Sequence, residues 1–199
     1  MVKISRYIVY IFFCLFSLNL CASSNLKKIE NYFKNLKSLK SDFVQVSSNG
    51  SLSYGSILIA RPQKFRIEYE SPSNDLIISD GNRIALINKK INSISFYSLD
   101  QIPFKVIISE NFTFDNYEIL ESKNENNVVS VKLTEKIKNQ EQAIKIIFEK
   151  SPFRLRKWNV IDQERITQVT LSNLQINIDL KNKNFIISDP RKYPFSTKD

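Results

Sequence analysis

Residues 53–81 read SYGSILIARPQKFRIEYESPSNDLIISDG. Alternation with a period of two occurs twice in this stretch, divided by two prolines and closed by an Asp-Gly pair. Ser53, Gly55, Ile57 and Ile59 share one face of a first strand, and Arg61 falls next on that face. Pro62 ends the run, since it has no N–H to give a ladder. Phe65, Ile67 and Tyr69 then alternate with Arg66, Glu68 and Glu70, the pattern of a half-buried strand. Pro72 closes that strand, and Leu76 to Ser79 runs into Asp80-Gly81, a hairpin signal. An arginine at the end of an apolar face needs a partner, so Arg61 is the residue to account for.

The same rhythm fills most of the chain. Upstream, Leu26, Ile29, Phe33, Leu36 and Leu39 recur at spacings of three and four, an amphipathic helix with Lys27, Lys28, Lys34 and Lys37 off the stripe. Strands are predicted at Asp42–Ser47, Leu52–Ala60, Lys64–Glu70, Asp75–Ser79, Arg83–Ile87 and Ile94–Ser98. Five more are predicted at Phe114–Glu121, Val128–Glu135, Ala143–Lys150, Leu155–Ile161 and Ile166–Ile178. The turns between them are rich in Asn, Asp and Gly, including Asn49-Gly50, Asp80-Gly81-Asn82, Asn124 to Asn127 and Asn182-Lys183-Asn184. Hairpin-length gaps make this an antiparallel meander within one domain. The segment Ile102-Pro103-Phe104-Lys105-Val106-Ile107-Ile108 interrupts the rhythm with a proline at a helix start and an apolar run. A short helix there, between strands, lies across the sheet. With the first helix it either covers a concave face or plugs an ordinary core.

Residues 1–22 read as a cleaved secretory signal. Lys3 and Arg6 precede the apolar run Ile8 to Leu20, and Cys21-Ala22-Ser23-Ser24 supplies small residues for cleavage. That run is too short to span a bilayer comfortably. A lipid anchor on Cys21 is the less favoured reading, because Leu20 is bulky where a lipidation signal wants a small residue. Residues 23–199 then form the mature domain. They hold no Cys, His or Met, and removing Lys3 and Arg6 takes the net charge from +9 to +7. A basic chain with aromatics raises nucleic acid as a partner, but an exported protein rarely meets any, and lysine as a solubilising residue accounts for the charge.

Catalytic sets fail on inventory. A mature chain without His or Cys builds neither a Ser-His-Asp triad nor a thiol nucleophile nor the usual zinc sites. Gly50, Gly55 and Gly81 are its glycines, so no phosphate-cradling loop exists. Glu68 and Glu70 share a strand face, but their alternation with apolar residues marks them as solvent-facing rather than a glycosidase dyad. No catalytic residue, metal site or cofactor is therefore expected. Arg154, Arg156 and Lys157 read as a solvated strand face in preference to a docking site. Three of the fourteen phenylalanines lie before Cys21, leaving eleven to fill a core or line a lumen.

Asp42-Phe43-Val44-Gln45 after the first helix, Arg61-Pro62, Phe65-Arg66, Tyr69, Pro72 and Ser79-Asp80-Gly81 resemble the LolA family of periplasmic lipoprotein carriers in order and spacing. Ile102-Pro103-Phe104 and its apolar tail resemble that family's short helix after the sixth strand. The match is close from Leu26 to Ile108 and looser beyond. The resemblance implies a mainly β fold with an α lid: an incomplete, half-open antiparallel barrel of about eleven strands, covered by short helices around a hydrophobic cavity. It implies a monomeric periplasmic carrier without enzymatic activity, which takes lipoproteins by their acyl chains from an inner-membrane ABC transporter. Delivery is to the outer membrane, to the receptor LolB where one exists. Arg61 matches the arginine that latches the lid through lid carbonyls. Phe65 matches an aromatic near the cavity mouth, with Ile57, Ile59, Ile67, Tyr69, Ile77 and Leu86 as cavity wall. Phe33, Leu36, Phe104, Ile107 and Ile108 belong to the lid. The sequence departs from better-known members at Ile67 and Ala85, where tryptophans are common. Two alternatives stay open: a related lipid-binding shell, either a LolB-like receptor anchored at Cys21 or a lipoprotein sensor, and a small outer-membrane barrel, against which the charges at Arg66, Glu68 and Glu70 argue.

Overall fold

A computed structural model describes residues 24–70, 72–135 and 142–195, so the expected signal segment, residues 1–22, lies outside the described residues. Helix α1 occupies residues 24–35. The chain then enters eleven strands: β1 (Ser38–Val46), β2 (Leu52–Ala60), β3 (Lys64–Tyr69), β4 (Asp75–Asp80), β5 (Ile84–Asn88) and β6 (Ser93–Tyr97), then β7 (Tyr117–Glu125), β8 (Val128–Glu135), β9 (Gln142–Lys150), β10 (Phe153–Asp162) and β11 (Arg165–Ile176). All pair antiparallel in one sheet, ordered β6-β5-β4-β3-β2-β1-β11-β10-β9-β8-β7. The sheet is open, with β6 and β7 as its edges.

This order explains the lid. Strands β6 and β7 follow each other in sequence but stand at opposite edges, so the chain between them has to cross the sheet. That crossing carries α2 (Lys105–Ile108), one turn whose Val106, Ile107 and Ile108 are buried. With Ile29 and Phe33 of α1 and Leu36 just after it, they join the inward residues of both halves of the sheet in one core.

Element boundaries differ from the sequence reading where local chemistry overrides periodicity. Leu39 keeps helical spacing from Leu36 but belongs to β1, opposite Ile59 and Ile176. The predicted strand start at Phe114 is a 3-10 turn, Phe114–Asn116, capped by the Thr113 hydroxyl. Strand β11 ends at Ile176 rather than Ile178, because Asn177 turns left-handed (φ 57°) and its side chain accepts from Lys37 N at 2.8 Å.

A second, smaller core lies on the convex face, where Leu76, Ile78, Ala85 and Ile87 are buried under Ile187 and Phe195 of the C-terminal tail. Ala85 therefore has no part in the concave side, and of the two positions where a tryptophan is missing only Ile67 faces it.

Gly55 shows how tightly the concave face is packed. It stands between Phe43 on β1 and Tyr69 on β3, whose rings meet edge to face at 5.3 Å. A Cβ there would lie 2.2 Å from the Glu68 carbonyl oxygen and 2.8 Å from the Phe43 ring.

Candidate functional site

Arg61 leaves the end of β2 and turns under the lid. Its backbone N–H donates to Lys37 O at 2.9 Å, and the neighbouring Gln63 N–H donates to Ile108 O at 3.0 Å. The guanidinium commits all of its N–H groups to four main-chain carbonyls. Nε donates to Ser109 O at 2.7 Å, Nη1 to Leu36 O at 3.0 Å and to Phe33 O, and Nη2 to Glu110 O at 3.2 Å and to Ser109 O. Phe33 and Leu36 sit at the C-terminal end of α1, and Ser109 and Glu110 follow α2. Carbonyls at helix ends lack intrahelical donors and carry partial negative charge, so a cation with five fixed donors suits them. The guanidinium carbon also stands 5.9 Å from the Phe33 ring centroid. Burial draws the arginine's pKa down and the Glu110 carboxylate partly offsets it. One side chain thus joins the end of β2, the first helix and the crossing segment.

Beside this junction the concave face holds a half-open apolar cavity of about 280 Å³. Its lining comes from Phe43, Gln45, Ile57, Ile67, Tyr69 and Ile77 on β1 to β4, Trp158 and Val160 on β10, Thr167 and Val169 on β11, and Pro103 and Phe104 of the crossing segment. Phe104 is the stopper, packed edge to face on Phe65 at 5.4 Å and tilted against Trp158 at 6.2 Å.

The predicted residues fall into three groups. Ile57, Ile67, Tyr69, Ile77 and Phe104 line the cavity. Ile59, Phe65, Phe33, Leu36, Ile107 and Ile108 are buried in the surrounding core. Leu86 pairs with Ile77 and so shares its face, but lies outside the lining. The sequence reading missed the walls supplied by β1, β10 and β11. Alternation marks Trp158, Val160, Thr167 and Val169 as one-faced, but it does not say which strands flank the gap that the lid leaves.

Glu68, Arg154 and Arg156 are engaged away from the cavity. Glu68 lies on the convex face, paired with Arg66 at 2.9 Å and with Lys89. Arg154 pairs with Glu149 at 2.8 Å, and Arg156, at a bulge in β10, donates to Leu171 O at 2.9 Å. Among the described residues no group of His, Cys, Asp and Glu could hold a metal, and no helix is long and apolar enough to cross a membrane.

The family described as outer membrane lipoprotein carrier protein LolA matches residues 34–188. The chain belongs to the LolA family. That family match spans Arg61, the crossing segment and every strand of the cavity wall. An uncharacterized protein of Rickettsia prowazekii (strain Madrid E) is 26% identical over 171 residues, covering 84% of this chain and 79% of the relative. An outer-membrane lipoprotein carrier protein of Francisella tularensis subsp. novicida is 24% identical over 210 residues, with 94% of each chain covered. Among solved structures, a DUF1329 family protein from Desulfovibrio piger superposes with a TM-score of 0.51 at 11% identity, covering 81% of this chain and 95% of that one. The last is a likeness of fold alone.

Proposed function

We propose that this LolA-family protein is a periplasmic carrier, exported by a signal peptide at residues 1–22, that holds lipoproteins by their acyl chains. On this reading an inner-membrane ABC transporter loads it and the outer membrane receives the cargo, through a LolB receptor where one exists. Its work is transfer without chemistry. The observation that carries the reading is the apolar cavity beneath a lid tied down by Arg61.

The energetics suit a carrier. Each buried methylene is worth about 0.8 kcal/mol, so a sixteen-carbon chain is worth on the order of 10 kcal/mol and does not leave a bilayer for water at a useful rate. The cavity of about 280 Å³ falls just below the range of roughly 300–1,000 Å³ for small-molecule sites. Two or three acyl chains therefore require the lid to lift. Lifting it breaks the Arg61 bonds, and the apparent affinity falls by the fraction of molecules that are open. Arg61 so acts as the latch that keeps binding weak enough for the next acceptor to win.

The test mixes the mature protein with membranes that are exporting lipoproteins. A soluble complex of protein and lipoprotein is expected in the supernatant. Lipoprotein that stays with the membranes while the protein is folded and in excess would sink the proposal.

A further inference from the structure

The cavity is not evenly apolar. Its polar side chains gather where Gln45 and Tyr69 meet, near the β1–β2 hairpin, with Thr167 close by on β11, the strand that pairs with β1. The Tyr69 hydroxyl donates to Gln45 Oε1 at 2.9 Å. A glutamine amide has two N–H donors and a phenol has one, so the pair holds more donors than it uses. In this arrangement both amide N–H groups of Gln45 remain uncommitted. With the amide reversed, one amide N–H and the phenolic O–H remain. Either way two donors of the pair are left uncommitted beside the cavity, where the Thr167 hydroxyl is the other acceptor side chain in the lining.

We propose that Gln45 and Tyr69 form a carbonyl-binding subsite, which takes the ester or amide carbonyl joining an acyl chain to its head group; this rests on the carrier reading above. The chain itself has no acceptor, so the carbonyl fixes how deep it sits. Burial, reinforced by Asp75, holds the Tyr69 pKa above its ordinary value and keeps the phenol protonated as a donor. None of the lining residues is basic. A fatty-acid carboxylate would enter without a counter-charge, and that desolvation is unfavourable. The subsite therefore selects neutral acyl esters and amides over free fatty acids.

The experiment compares a dipalmitoyl-glyceryl-cysteine peptide with its dihexadecyl ether analogue, which lacks the carbonyls, by displacement of a fluorescent lipid. The wild-type protein is expected to bind the ester about two- to tenfold more tightly than the ether, the worth of one neutral hydrogen bond. Gln45→Met should bring that ratio close to one, and Tyr69→Phe should lower it. If Gln45→Met fails to fold, Tyr69→Phe carries the test, since it deletes a single oxygen atom. Equal wild-type binding of ester and ether, or an unchanged ratio in both variants, overturns the subsite. Wild-type protein that binds neither ligand overturns the carrier reading, and the subsite with it.

Discussion

At the scale of the residue, Arg61 concentrates in one side chain a junction that three segments need. Leucine in its place keeps the stem's bulk and removes every donor. Arg61→Leu is expected to stay folded and to hold a bound lipopeptide more tightly, by about tenfold or more, because the closed state loses its advantage. Cargo co-purifying with variant and parent measures this, and equal retention would remove the latch role. Arg61→Lys should resemble the leucine variant more than the parent, since an ammonium cannot reach four carbonyls held in two directions. Gly55 is the opposite case, a position defined by what is missing. Gly55→Ala should cost about 1–3 kcal/mol of stability in a denaturant titration, since the added methyl meets backbone on one side and a packed ring on the other. The sequence displays Arg61 as a charge out of place, whereas nothing around Gly55 in the chain announces the two rings that meet over it.

At the scale of the element, β3 presents two different surfaces. Phe65 and Ile67 are buried on the concave side, and Arg66 and Glu68 form a convex ion-pair group with Lys89. Burial raises the Glu68 pKa, but the bonds from Lys89 and Arg66 outweigh it, and the net shift is downward from 4.5. The folded state thus favours the carboxylate. Its stabilisation is present above pH 4.5 and is lost as pH falls through that value toward the folded pKa. Glu68→Gln should be less stable than the parent at neutral pH, with the gap narrowing on acidification; thermal midpoints measured across pH check this. Alternation alone reveals which residues of β3 share a face, while Lys89, twenty-one positions on, becomes a partner through the pairing of β3, β4 and β5. The crossing segment is likewise half legible. Pro103 and its apolar run predict a short helix, and one turn forms, but the sequence does not say that Phe104, just before it, packs on Phe65 and Trp158.

At the scale of the whole molecule, two cores share one sheet. The concave core carries the cavity, and the convex one is covered by a tail that reads in sequence as a turn and a remnant. Phe185 is 3% exposed, and the turn Asn182–Phe185 lies against β3 and β4. Phe185→Ala should cost about 3–5 kcal/mol, seen as a lower thermal midpoint; a midpoint equal to the parent's would show that the tail does not brace the sheet. Period-two alternation and turn residues are enough to give strands and hairpins, because each is set by neighbours a few positions away, and the family resemblance rests on short motifs of the same local kind. The cavity's far wall, the tail's cover and the partners of Arg61 depend on contacts between distant segments. They were decided when the sheet curved and the chain from β6 to β7 had to cross it, since a strand's period says which residues share a face but not what that face will meet.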